Sequence, residues 1–491
     1  MRIIKNRAIC FIVICMLVHL NSIILAQNIG IGTITPVEKL DVNGNIKSDT
    51  LKPNALQLLP NAGAGKILTS DVTGNASWES LIVAPPANTS GNVGHGVWGD
   101  CATTGNISEY DPVADSTGVA GDYFGASVSI SGDFAIIGTP IDDEMNPNQG
   151  SASIYHFNGS SWQFTQKLTD PNGSTDDNFG YSVSISGNFA IVGAHADDGP
   201  FNNQGSVTIY QYNGTSWDWL EKISDPDGAT SDHFGISVSI SGDYFIAGSF
   251  LDDSSPNGDQ GSASIFHFNG SNWELVVKLT DPLSAFTDEF GSSVSISNNY
   301  ALVGSPYDDA GANFDQGSAS IYQFDGNTWV YMQKVIDSDG ATSDYFGSSV
   351  TISNMYAAIG APGDKVGNNE DQGSATVFRY NGSSWVSMQK KTSITGLAND
   401  GFGICISISG DFMLIGSDRD DVGVNVDQGS ISMYQRLGNG WQLVQYITEP
   451  GGNASDFFGF TCALDISTRR FLSGASGYIS NTGKAVFGKI N

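Results

Sequence analysis

The chain has 491 residues, room for two or three domains or for one large repeat array. It carries 51 acidic against 21 basic side chains, a formal charge of −30, which excludes nucleic acid as a partner and disfavours anionic lipid, because both need a basic surface. Yet 40% of residues are hydrophobic, 11% aromatic and only 15% charged, with 60 glycines. A disordered acidic chain lacks aromatics, so the acid must decorate a folded, turn-rich, all-β protein.

Residues 1–26 read as a signal peptide. Arg2, Lys5 and Arg7 precede an apolar run from Ala8 to Leu20, and Ala26 before Gln27 marks a cleavage site. An uncleaved anchor is the alternative, since the run to Ala26 is nearly long enough to span a bilayer, but His19, Asn21 and Ser22 interrupt it. No later stretch reads as a membrane span, so the mature chain is expected to be secreted or held at the outer cell surface. Cys10 and Cys15 leave with the leader, while Cys101, Cys405 and Cys462 remain. A Cys405–Cys462 pair is conceivable, but isolated buried thiols fit so sparse a set better.

Residues 27–92 form a stalk and linker segment outside any repeat. Asn28-Ile29-Gly30-Ile31-Gly32-Thr33, the run Pro36 to Ile46, and Gly74-Asn75-Ala76-Ser77-Trp78 resemble a short stalk motif of bacterial surface and tail-fibre-like proteins. That resemblance implies self-association through the stalk. Gly63-Ala64-Gly65-Lys66 has the wrong spacing for a phosphate loop.

Residues 93–491 are organised by a repeat. Phe-Gly recurs at Phe124, Phe179, Phe234, Phe290, Phe346, Phe402 and Phe458, at steps of 55, 55, 56, 56, 56 and 56 residues. Each unit opens with an alternating strand such as Ser127-Val128-Ser129-Ile130, turns through Ser-Gly-Asp, and continues in a second strand ending in Gly. An acidic loop closing in Gln-Gly leads to a third strand, and an Asn-Gly-Ser turn joins this to a fourth opening on Trp. Four strands in each of seven units predict a seven-bladed β-propeller. The seventh unit ends after three strands. Trp lies 17 residues ahead of six of the Phe residues, and counting back 17 from Phe124 reaches Ile107. Residues 106–113 are therefore expected to supply the missing strand and latch the ring.

The Phe-Gly openings, with Gly304-Ser305-Pro306 and Gly360-Ala361-Pro362 at the ends of second strands, resemble the FG-GAP repeats of integrin α subunits and bacterial surface proteins. The resemblance implies a seven-bladed propeller from about residue 104 to 491 and a role in adhesion. It also implies a calcium loop between the first and second strands. Here that loop has shrunk to Ser131-Gly132-Asp133 and its equivalents, with too few oxygens for calcium.

The acid falls in register with the repeat. Asp stands two residues before each Phe, at Asp122, Asp177, Asp232, Asp288, Asp344, Asp400 and Asp456. This set is expected to cap turns. A second set follows strand two: Asp142-Asp143, Asp197-Asp198, Asp252-Asp253, Asp308-Asp309, Asp364 alone, and Asp420-Asp421. Adjacent carboxylates repel unless a cation or hydrogen bonds offset them, so these eleven residues are the candidate metal ligands. The ion would be calcium, bound on the order of 10⁻⁴ to 10⁻³ M as in extracellular modules. Asp259, Asp315, Asp371 and Asp427 add oxygens to the same loops. Because strands alternate in direction, both sets emerge on one face of the disc.

The repeated Trp reads as a packing anchor, with sugar stacking as the lesser alternative. Asn158, Asn213, Asn269 and Asn381 head Asn-x-Ser/Thr triplets at hairpin tips. No zinc-protease, nucleophile-elbow or clustered-histidine motif occurs, and no residue is assigned to catalysis. The expected function is non-enzymatic binding or adhesion through the acidic face to an extracellular protein or glycan. A carbohydrate-binding or carbohydrate-active module and a structural surface component are the alternatives.

Overall fold

The computed structural model describes residues 107–490 apart from 254–257, 284 and 311–312, together with four short strands before them. Contacts divide the chain into two units, Met1–Gly99 and Asp100–Asn491. In the first, Ile29–Ile31 pairs in parallel with Leu40–Val42, and Lys66–Ser70 pairs antiparallel with Ala76–Ser80. The leader and Cys101 lie outside the described residues.

The second unit is a propeller of seven four-stranded antiparallel sheets. Blade 1 is typical: Ser127–Ser131, Phe134–Thr139, Ser151–Phe157 and Trp162–Leu168, ordered from the channel outward. The second and third strands are almost wholly buried, as expected of strands covered on both faces. Blade 7 takes Phe458–Asp465, Arg470–Ala475 and Lys484–Ile490 from the end of the chain and Ile107–Val113 from before blade 1. That outer strand runs antiparallel to the third, with Val113 opposite Ala485 and Tyr110 opposite Gly488. The predicted latch is therefore present, in the predicted residues.

Blades meet through the repeat's own signature. All seven Phe side chains are fully buried between neighbouring sheets. The glycine ending each second strand lies against the carbonyl of the Phe-Gly glycine of the next blade: Gly138 against Gly180, Gly304 against Gly347, and Gly474 against Gly125 across the seam. A Cβ at any of these glycines would fall far inside van der Waals contact with backbone oxygen. The need at these positions is steric.

Hydroxyls on the first strands then tie blade to blade around the channel. Ser127 Oγ donates to Gly180 O at 2.7 Å, and the pattern repeats at Ser182, Ser237, Ser293 and Ser349. Cys405 takes this place in blade 6, with Sγ 3.1 Å from Gly459 O, and Thr461 Oγ1 closes the circle onto Gly125 O at 3.0 Å. Cys405 and Cys462 are free thiols. At the outer rim, Gln166 Oε1 accepts the Trp217 N–H at 2.9 Å, and Gln333 does the same for Trp385. On the latch strand Asp111 Oδ2 accepts the Trp162 N–H at 3.3 Å. The borrowed strand thus supplies the rim contact as well as the sheet.

Two substitutions test this frame by calorimetry. Gly304→Ala forces backbone apart and should cost on the order of 3 kcal/mol. Phe290→Ala empties a fully buried site and should cost about 4 kcal/mol. An unchanged melting temperature for Gly304→Ala would show that the blades do not depend on this contact.

Candidate functional site

The loops after the second and fourth strands share one face, where they hydrogen-bond to each other: the Asp176 N–H donates to Pro147 O and the Phe179 N–H to Gln149 O. On this face the paired aspartates do not behave as a pair. The first of each, Asp142, Asp197, Asp252, Asp308, Asp364 or Asp420, is buried. The second, as at Asp143, Asp198, Asp253, Asp309 and Asp421, is exposed.

In blades 1 to 5 the buried member has a cation already in the fold. A lysine five residues after the Trp bridges it to a second carboxylate from the loop that enters the blade. Lys222 Nζ lies 2.5 Å from Asp197 Oδ2 and 2.6 Å from Asp170 Oδ2. Lys167 joins Asp142 to Asp115, Lys278 joins Asp252 to Asp225, Lys334 joins Asp308 to Asp281, and Lys390 joins Asp364 to Asp337. Burial alone would lower Lys167 and Lys278, but bonds from these carboxylates hold both above the ordinary lysine value.

Blades 6 and 7 depart from this pattern. In blade 6 the lysine is Tyr446 and the entering Asp is Ser393, leaving one carboxylate, Asp420, bonded by Tyr446 Oη at 2.5 Å. In blade 7 the aspartate pair is absent, and Lys484 ion-pairs with Glu449. Among the described residues, Asp170, Asp177 and Asp197 bring three carboxylates close enough to share an ion, but Lys222 already bonds two of them. The arrangement meets the repulsion that motivated the metal reading with ammonium groups.

The exposed member shapes its loop. Asp143 Oδ1 accepts the Asn148 N–H at 2.7 Å, and Asp309 Oδ1 accepts the Asp315 N–H at 3.0 Å. Asp259, Asp315, Asp371 and Asp427 sit at φ 51 to 53°, the left-handed region that Asn and Asp tolerate best. They are turn residues, and their presence before Gln-Gly is explained without a cation. The following Gln is buried and donates across blades, as from Gln149 Nε2 to Asp170 O at 2.9 Å.

The aspartate two residues before Phe caps its turn as expected: Asp122 Oδ2 accepts the Val119 N–H at 2.6 Å, and Asp400 Oδ2 accepts the Leu397 N–H at 2.6 Å. Burial, reinforced by neighbouring carboxylates, pushes Asp177 and Asp344 up to about 6 and Asp400 to about 7. The residue between this Asp and Phe lies at φ 54 to 66° in every blade where it is Tyr123, Asn178, His233, Glu289, Tyr345, Gly401 or Phe457. Six side chains and the bare Gly401 thus occupy equivalent places around the channel mouth. Glycine meets the backbone requirement in blade 6. Tyr123, Tyr345 and Phe457 keep large rings in a conformation that such residues rarely adopt.

The mouth contains a cavity of about 640 Å³ spanning blades 6, 7, 1 and 2, lined by Tyr123, Tyr181, His195, Phe457, Phe460, Asp418 and Arg419 among others. Asp418 is buried, and desolvation, partly offset by Arg419, raises it to about 6. Burial, with His233 beside it, lowers His195 to about 4, so it is neutral at ordinary pH. Sequence reasoning missed this site because its residues differ in every repeat. The signal was available as the variable place in Asp-x-Phe-Gly. The six tryptophans are buried and pack between blades. Sugar stacking on them is excluded by that burial. Asn158, Asn213, Asn269 and Asn381 hold the hairpin tips, as in Asn158 Oδ1 accepting the Ser160 N–H at 3.0 Å.

The fold and site together define a closed propeller of Phe-Gly repeats with a cavity at its channel mouth. The chain belongs to the FG-GAP repeat family: residues 113–155, 162–210, 217–266, 273–322, 329–378 and 385–434 match it, more than half of the chain. Blade 7 lies outside these six matches, although its strands follow the same order; its second loop carries a short helix, Tyr478–Asn481, in place of the acidic turn. No curated protein matches the chain in sequence. Among solved structures, the periplasmic gluconolactonase of Pseudomonas aeruginosa is similar over 67% of this chain and 86% of its own, at 13% identity and a TM-score of 0.45.

The lysine bridges give a double-mutant test. Lys334→Tyr leaves Asp281 and Asp308 buried with too little compensation and should cost on the order of 3 kcal/mol. Adding Asp281→Ser recreates the blade 6 arrangement and should recover most of that loss; additive destabilisation would contradict the charge matching.

A pH series gives a second test. Asp177, Asp344, Asp400, Asp418 and Glu289 all have folded values of about 6 to 7, above the unfolded value of about 4. The native state therefore binds more protons in that window, and stability must fall as pH rises from about 4 to about 7. The lowered values of His195 and His233 act in the opposite direction, but they are outnumbered by the raised carboxylates, to which Asp225, pushed up to about 7 by burial, also belongs. The melting temperature should be higher at pH 5 than at pH 8, and a flat or rising profile would refute the assignment.

Proposed function

We propose that the chain is an exported, non-enzymatic binding protein whose acid-bearing propeller face engages an extracellular protein or glycan. The observation that carries this reading is the distribution of exposed apolar side chains. Met145, Phe201, Phe314 and Val424 are 70, 48, 69 and 95% exposed at the tips of the loops after the second strands. Leu283, Phe286, Ile394 and Leu397 are 68, 61, 72 and 52% exposed in the loops after the fourth. The most exposed of the apolar side chains lie on this face, rimmed by charge, whereas the opposite face exposes Met355 and Leu437 at 48 and 41%; such rimmed apolar groups mark interaction sites. The opposite face carries Ser-Gly-Asp and Asn-Gly-Ser turns.

The non-enzymatic part of the reading rests on where the acid is spent. In blades 1 to 5 the buried member of each aspartate pair is committed to a lysine bridge that recurs from blade to blade. Among the described residues, no helix is long and apolar enough to cross a membrane. The partner is expected to meet the face directly, without calcium bridging at the eleven aspartates.

Binding of the full-length protein to arrays of glycans and purified extracellular proteins tests the face. Phe314→Glu and Val424→Glu should each weaken capture about tenfold, a loss of about 1.4 kcal/mol, while Asp243→Lys on the opposite face should leave it unchanged. Loss of capture in Asp243→Lys alone would overturn the reading, as would turnover of an array glycan. Calcium at about 5 mM, above the weakest extracellular affinities, should not shift the melting temperature. A shift abolished by Asp253→Asn and Asp309→Asn would restore the cation site.

A further inference from the structure

We infer that the cavity at the channel mouth is a saccharide site that takes one pyranose ring of a neutral glycan. This deepens the reading that the acid-bearing face is the binding face, and rests on it. The cavity's volume of about 640 Å³ is in the range of small-molecule sites, which combine apolar walls with a few placed polar groups. Its walls are aromatic: Tyr123 and Phe460 are each 37% exposed, Tyr181 is 45% exposed, and Phe457 is half-buried. Such ring faces match the C–H face of a sugar.

Two features show that the cavity is built rather than left over. Tyr123 and Phe457 hold their rings at φ 59° and 54°, although the repeat accepts glycine at that place in Gly401. A Cβ on Gly477 would strike the Phe457 ring, so this glycine makes room for it. In blade 6 the departures coincide. The site two residues beyond the second-strand glycine is Pro140, Pro306 or Pro362 in blades 1, 4 and 5, but Asp418 in blade 6, followed by the exposed Arg419. Gly401 leaves the neighbouring space open, since a Cβ there would stand 3.0 Å from Asp418 Oδ1.

These polar groups select the ligand's charge. A carboxylate accepts from sugar hydroxyls and a guanidinium donates to them. Together they carry no net charge, on a protein of formal charge −30 whose field repels uronic, sialic and sulfated sugars. A cationic ligand would be drawn to the face but would meet Arg419 at the cavity itself.

The test is titration calorimetry of the full-length protein. The probes are methyl glycosides of glucose, galactose, mannose and N-acetylglucosamine, with glucuronic acid and oligolysine as charged counterparts. At least one neutral glycoside should bind saturably. Phe460→Ala and Tyr181→Ala should each weaken it at least tenfold, and Asp418→Asn should weaken it also. Phe457→Gly, which the repeat tolerates at Gly401, should lose affinity with its melting temperature retained. Binding only of the charged probes, or of none, overturns the inference. Sugar binding that survives Phe460→Ala with Tyr181→Ala but is lost in Phe314→Glu overturns the cavity and leaves the binding face standing. Binding that survives all three and is lost in Asp243→Lys removes the binding face as well.

Discussion

The contact on which the molecule depends is the approach of two glycine backbones, one ending the second strand of a blade and one following Phe in the next. It lets adjacent sheets come close enough for the Phe ring to fill the gap and for first-strand hydroxyls to reach the neighbouring carbonyls. It also dictates the chain's path into each blade. To place Phe-Gly against the previous sheet, the preceding residues must turn sharply, which puts the residue before Phe at positive φ in all seven blades. The fold constraint thereby creates seven projecting positions around the channel mouth. Their backbone is fixed and their side chains are free to vary, a combination suited to carrying specificity on a common scaffold.

Charge is arranged by a separate rule. A chain with a formal charge of −30 would be expected to suffer from its own repulsion, yet the buried acid of its second loops meets a partner locally. Two buried carboxylates meet one ammonium in blades 1 to 5, joined at Lys167, Lys278 and Lys390 by the less buried Glu144, Asp227 and Asp339; one carboxylate meets a phenol in blade 6, and one meets one ammonium in blade 7. Because each lysine reaches a carboxylate from the entering loop and another from its own blade, the bridges also fix the angle between connections.

The architecture was legible because the repeat is long, in phase and closed by a strand found by counting back from the first Phe. Ile107–Val113 proved to be that strand. The aspartate pairs were legible as positions but not as chemistry. Sequence shows that Asp197 and Asp198 are adjacent; it does not show that a strand end turns one inward and the other out. A clue was present in the lysine five residues after Trp, and in its exchange for Tyr446 in the same unit that exchanges Asp for Ser393. For Asp259 and its equivalents the oxygen content was legible, but the left-handed backbone that Asp tolerates there was not. The mouth cavity was least legible, since averaging over repeats suppresses the positions that differ.

Closure makes the central claim measurable: the seam between blade 7 and blade 1 is held by the same contacts as the six continuous interfaces. Native-state hydrogen exchange on the full chain reads this directly. The amides of Phe124, Gly132 and Trp162, which bond across the seam to Thr482, Asp465 and Asp111, should be protected to the same degree as those of Phe179, Gly187 and Trp217. Exchange at the three seam amides orders of magnitude faster than at their counterparts would contradict the account, because the ring would then open at the seam well below the free energy of global unfolding.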